Sequence, residues 1–237
     1  MNRLIVAVRD VLTLDTSIFE RMRDAQDGIR RALLIITIIS LIVAFPTFIN
    51  ELLRGLSPLN GSRAQANLET TLGPFEDAFG PFLGSFQAGL NIGAEIEMLP
   101  TRLPRPLANT LRALGEYLSY PFAWIGGWLS YLIWVMLAAK LMGGRAGIRQ
   151  MVSTTSLHSV PMVLNVLGFI PCLGFLVQVA TFVWGFIIYV KATAVANDFD
   201  WPRAALAVLL PFIAFGFVIA VAVTGLFNVL AIGFIHG

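Results

Sequence analysis

Four long stretches of this chain carry no charge at all: 32–50, 117–139, 150–190 and 204–237, together 117 of its 237 residues. A helix needs about 20 apolar residues, rising 1.5 Å each, to cross roughly 30 Å of hydrocarbon. The second run and the last meet that length, the first comes close, and the third doubles it. Apolar residues make up 57% of the sequence and charged ones only 13%, against roughly 25% charged in globular domains. The expectation is an all-α integral membrane bundle, because a helix satisfies its own backbone polar groups in lipid.

The runs divide into five spans. Span one covers 32–49, with Pro46 near its exit, where a lost backbone bond matters least. Span two is Tyr117–Ala139, opened by Tyr117, Tyr120 and Trp124 at headgroup depth and followed by Gly143, Gly144 and Gly147. The 41-residue third run splits at Pro171–Gly174, giving spans three (151–170) and four (174–192) as an antiparallel hairpin. Span five follows Asp200, an N-cap, and Pro202. The last run of 34 residues exceeds one crossing, so Gly225 or Gly233 is expected to end the helix and leave an interfacial tail.

Before span one, the apolar piece Leu4–Val8 is shorter than a signal-peptide core, so 1–31 reads as part of the mature chain. Ser17 with Glu20 fits a capping box. Ile18, Phe19, Met22, Ala25 and Ile29 recur at helical spacing opposite charged residues, an amphipathic helix expected on the membrane surface, with packing on the protein's own segments as the alternative.

Residues 50–116 form one long connection, patterned by Leu68, Leu72, Phe75, Phe79, Phe82, Phe86 and Leu90. Pro74 and Pro81, in a repeated Gly-Pro-Phe, break it into short amphipathic helices that lie on the outer face or present Phe75, Phe79, Phe82 and Phe86 to a partner. Residues 78–94 are uncharged and also suit a re-entrant segment. With the N-terminus inside, eleven Arg or Lys flank the spans on the cytoplasmic side and five lie in 50–116. That asymmetry orients the N-terminus in the cytoplasm and the C-terminus outside. Net charge is only +2, with no basic block for nucleic acid. The preference for Arg over Lys fits a GC-rich, bacterial coding sequence.

Chemistry is sparse. The span cores hold no Asp or Glu, which argues against an ion-coupled carrier. Cys172 stands alone, without a disulfide or zinc partner. Asp198 and Asp200 lack a third metal ligand nearby, and Ser130 with His158 lacks an oxyanion-hole motif. One ordered polar face remains. Thr154, His158, Pro161 and Asn165 recur along span three, answered by Gln178, Thr181 and Gly185 on span four. Folding the hairpin sets Asn165 near Gln178 and His158 near Gly185, which leaves room for the imidazole. Interhelical hydrogen bonding explains this seam; the sharper reading makes His158 an axial ligand of haem or chlorophyll. On span five, Gly216 and Ala220 form a small-residue track suited to helix packing.

Four segments carry a family likeness: Leu137–Gln150, with Gly143, Gly144, Arg145, Arg149 and Gln150; Ser156–Pro161, in the place of a Gly-Tyr-Ala-x-x-Pro-like segment; Arg203–Pro211; and Arg9–Arg31 before span one. On these the chain resembles the Yip family of five-span, Ypt/Rab-interacting-protein-like membrane proteins, in its prokaryotic branch. The resemblance implies a cytoplasmic N-terminus and five spans. Eukaryotic relatives are associated with vesicle traffic and Rab GTPases, whereas prokaryotic relatives have no established activity. His158 stands where the family has a small residue, so no role passes to it. The expectation is a non-enzyme without cofactor, in contact with the bilayer and with other membrane proteins or itself, that acts as a binding or organising module. An accessory subunit of a larger complex and a small permease are the rival readings.

Overall fold

A computed structural model describes residues 2–55, 104–170 and 173–236. Among them all regular structure is helical: α1 (Asn2–Leu12), α2 (Thr16–Asp24), α3 (Gly28–Gly55), α4 (Arg105–Leu141), α5 (Ile148–Thr155), two 3₁₀ stretches (Ser156–Ser159 and Pro161–Phe169), α6 (Leu173–Asn197) and α7 (Trp201–His236). Two compact units result, Met1–Pro46 with Leu118–Gly237, and Thr47–Tyr117. In the smaller unit the Phe48 and Tyr117 rings lie 4.9 Å apart and Arg112 pairs with Glu116 at 3.0 Å. The loop phenylalanines Phe75, Phe79, Phe82 and Phe86 and the re-entrant reading of 78–94 fall outside the described residues.

Three helices are long and apolar enough to cross a membrane: Gly28–Leu53, Pro106–Leu141 and Leu173–Asn197, with mean hydropathies of 2.7, 1.6 and 2.0. Trp201–Phe217 is a fourth apolar stretch. Leu34, Ile38, Ile42 and Phe45 stand exposed along one side of α3, and Phe212, Ile213, Phe215 and Phe217 are exposed around α7. Apolar exposure on that scale suits lipid. The chain is therefore a multi-pass membrane protein.

Several expectations need correction. α7 runs unbroken through Gly225 and Gly233 to His236, about 54 Å at 1.5 Å per residue. In an apolar setting the backbone has no better hydrogen-bond partners than its own helix. Span three is not one α-helix: after α5 the chain tightens into 3₁₀ geometry from Ser156 to Phe169. The N-terminal cap is Asp15, whose carboxylate accepts the Ser17 N–H at 2.9 Å, so the Ser17–Glu20 box is not the one used. α2 ends before Ala25, and Ile29 belongs to α3.

For the amphipathic helix the structure shows the alternative contact, packing on the protein's own segments. Phe19 and Met22 are buried and cluster with Val11, Ile39, Leu157, Val160, Ile188 and Ala192. Its apolar face is consumed by the chain's own core. Full burial of such side chains contributes about 1.5–3 kcal/mol each. A second cluster, with Ile36, Leu132, Val135, Met151 and Val190 at its heart, joins α3, α4, α5 and α6.

Candidate functional site

The sequence Gln150–Ser159 packs six hydroxyl or imidazole side chains into ten positions. Buried, the hydroxyls bond backward to the backbone. Ser153 Oγ donates to the Arg149 carbonyl at 2.8 Å, Thr154 Oγ1 to that of Gln150 at 2.8 Å and Thr155 Oγ1 to that of Met151 at 2.7 Å. Ser156 Oγ and Ser159 Oγ reach carbonyls three residues back, at 2.8 and 2.7 Å. Such back-bonding competes with regular helix geometry, and Pro161 then removes an N–H donor. Together they account for the passage from α to 3₁₀.

His158 belongs to the same pattern. Its Nδ1 lies 2.7 Å from the Thr155 carbonyl oxygen; a carbonyl only accepts, so Nδ1 carries the proton. The ring stacks on Trp128 at 6.4 Å and meets Tyr189 edge-on at 5.4 Å. Trp128 Nε1 donates to Thr155 Oγ1 at 3.3 Å, so one hydroxyl ties α4 to α5. The Tyr189 hydroxyl is buried and has no hydrogen-bond partner among the described residues. The imidazole thus sits in a packed aromatic layer, with Trp128 against one face.

Of the other seam residues, Thr181 Oγ1 donates to Asn165 Oδ1 at 2.7 Å across the hairpin, and to its own Gln178 carbonyl at 3.1 Å. Gln178 itself is exposed, so the residue paired with Asn165 is Thr181, three positions on. The 3₁₀ rise of about 2.0 Å per residue lengthens the strand of chain opposite α6 and changes the partner. Gly185 is where the backbones approach. A Cβ there would lie 2.8 Å from Met162 Cε and 3.1 Å from the His158 carbonyl oxygen, so the room is taken by Met162 and backbone, not by the imidazole. Thr154 is fully buried but bonds only within its own helix.

Ser130 is exposed and makes no hydrogen bond to His158. Asp198 pairs with Arg23 at 3.0 Å and Asp200 with Arg203 at 3.8 Å. No group of three or more His, Cys, Asp or Glu suited to a metal occurs among the described residues. Gly216 has open space where a Cβ would point, and Ala220 is exposed.

The loop before α5 is held by residues the sequence reading passed over, Asn197 above all. α4 ends in a Schellman turn, with Gly143 at φ +87°, its N–H on the Lys140 carbonyl and the Gly144 N–H on that of Ala139. Asn197, the last residue of α6, is 5% exposed; its Oδ1 accepts the Ala146 N–H at 3.2 Å, and its Nδ2 donates to the Thr193 carbonyl at 3.1 Å and to Met151 Sδ at 3.4 Å. A Cβ on Gly144 would collide with Asn197 Oδ1 and come within 2.8 Å of the Ala139 oxygen. Arg23 locks α2 to the same end of α6, donating to the Val195 carbonyl at 3.1 Å and to Asp198 Oδ1 at 3.0 Å. Its hydrogen bond to Asp24 and the nearby carboxylates hold its pKa above the ordinary value. Tyr131 Oη donates to the Val208 carbonyl at 2.6 Å, joining α4 to α7.

The pattern that defines the Yip1 domain matches residues 9–223, nearly the whole chain. No curated protein and no solved structure matches it.

Proposed function

Since the chain belongs to the Yip1-domain family, we propose that it is a non-catalytic module that binds and organises other membrane proteins, or copies of itself, in the bilayer. The observation that carries this reading is the contrast between its interior and its surface. The polar groups of α5, the 3₁₀ stretches and α6 are spent mostly on the chain's own backbone and on one another. The Gly216–Ala220 track, by contrast, has no neighbour close to Gly216, and close helix approach in lipid depends on small residues of this kind. Phe75, Phe79, Phe82 and Phe86 form the second proposed contact surface.

The setting we propose is a bacterial cell membrane, with the N-terminus and the Gly143–Gln150 loop in the cytoplasm and the C-terminus outside. The uneven placement of arginine and lysine supports that orientation. A reporter active only in the cytoplasm is expected to work when fused after Arg31 or within Gly143–Gln150 and to fail after Gly237. A cytoplasmic C-terminus would overturn the five-span orientation. Purification in mild detergent, with identification of whatever accompanies the chain and an absorption spectrum, tests the module reading against the accessory-subunit alternative, in which His158 holds a porphyrin. A visible absorption band lost in His158→Ala would favour the alternative.

A further inference from the structure

The turn between α2 and α3 opens onto a groove of about 520 Å³ whose described walls are Gln26, Asp27, Ile29, Arg30, Leu33, Leu34 and Thr37. Its chemistry is divided along its length. Gln26, Asp27 and Arg30 lie at the first turn of the span, and Leu33, Leu34 and Thr37 lie up to about 10 Å deeper, at 1.5 Å per residue. The Asp27 carboxylate is already engaged by Arg31 Nε at 2.9 Å, a hydrogen bond that holds its pKa below the ordinary value. Arg30 is exposed and makes no ion pair among the described residues. The groove therefore offers a guanidinium that is near Asp27 but in no ion pair with it, above an apolar wall, at the level where a membrane span meets the headgroups.

We propose that this groove is a binding site for one anionic phospholipid, its phosphate held by Arg30 and an acyl chain laid along Ile29, Leu33 and Leu34. A guanidinium suits phosphate because its planar fork gives two parallel hydrogen bonds. A zwitterionic lipid brings its own cation to the same place and loses most of the attraction. The site does not depend on the organising role, since a chain with no protein partner would hold the lipid equally well.

The test uses the full chain in mild detergent, with retained lipid counted by native mass spectrometry against added phosphatidylglycerol or phosphatidylcholine. Wild type is expected to retain phosphatidylglycerol preferentially. Arg30→Gln should weaken that retention roughly five-fold, the contribution of one basic residue at a membrane surface, and leave phosphatidylcholine unchanged. Arg149→Gln, which alters an exposed arginine that does not line the groove, should behave as wild type. Leu34→Trp fills the groove from an exposed position and should reduce retention of both lipids. Equal retention of the two lipids by wild type, or equal behaviour of the two arginine variants, would overturn the proposal. So would unchanged retention in Leu34→Trp, or protection against heat by glycerol phosphate that matches that of the whole lipid.

Discussion

Replacing Asn197 with Ala removes a side chain that serves three partners, one each in the loop before α5, in α5 and in α6. Its Oδ1 is the acceptor for the Ala146 N–H, and Ala146 is 1% exposed. After the substitution that N–H is buried without a partner, a desolvation cost of about 1–3 kcal/mol. The Thr193 carbonyl remains in its helix, and the Met151 sulfur is a weak acceptor, so the orphaned amide dominates. The Gly143–Gln150 loop should therefore loosen while α6 stays helical. Hydrogen exchange followed by mass spectrometry is the direct assay, with exchange across that loop rising roughly 5- to 150-fold, at 1.4 kcal/mol per decade. Thermal unfolding in detergent should fall in parallel. Exchange in the loop equal to that of wild type would refute the reasoning, because it would mean that the Ala146 amide has another partner or does not need one.

Thr181→Val removes the hydroxyl that donates to Asn165 and should cost about 0.6 kcal/mol, at most about 1.7, in unfolding measured in mixed micelles; no loss would mean that the hairpin contact is energetically idle. Arg23→Gln should free α2 from the end of α6 and speed its hydrogen exchange without changing that of α4; unchanged exchange would show that apolar burial of Phe19 and Met22 alone holds it. The Asp15 carboxyl, which accepts the Ser17 N–H, is held below its ordinary value of 3.8. Its contribution to the start of α2 is thus complete above that pH and lost as pH falls through the lowered folded value. Asp15→Asn keeps an N-cap acceptor and should remove this pH dependence in the α2 amide signals; an identical titration would contradict the assignment.

Long apolar runs were legible because lipid demands uninterrupted uncharged length, and α3, α4 and α6 lie where those runs are. Helix ends were less legible. α4 begins at Arg105, ahead of the expected Tyr117, since charged residues continue a helix readily beyond the hydrocarbon. The 3₁₀ passage was missed although its cause is written in the run Ser153–Ser159: buried hydroxyls turn back on the helix, and a periodicity of 3.6 then places His158 and Asn165 on one face when the chain has already rewound. The pairing of Asn165 with α6 was visible in the hairpin, but its partner Thr181 was displaced from Gln178 by that rewinding. Asn197 gave the faintest signal, a lone amide at the end of an apolar helix, next to Asp198 in a stretch that reads as loop. Its burial depends on Gly144, 53 positions away, and no local pattern encodes that meeting.

The central claim, that this member of the Yip1-domain family works through association within the membrane, is tested most directly by sizing the chain when it is extracted with its surrounding lipid and without detergent exchange. The account predicts assemblies larger than the 25.9 kDa single chain, which shrink when Gly216→Leu closes the small-residue track or when two of the four loop phenylalanines are changed to Ser, with membrane insertion unaltered in either case. A chain that stays single and without companions in its native membrane would contradict the organising role and turn attention to a small permease.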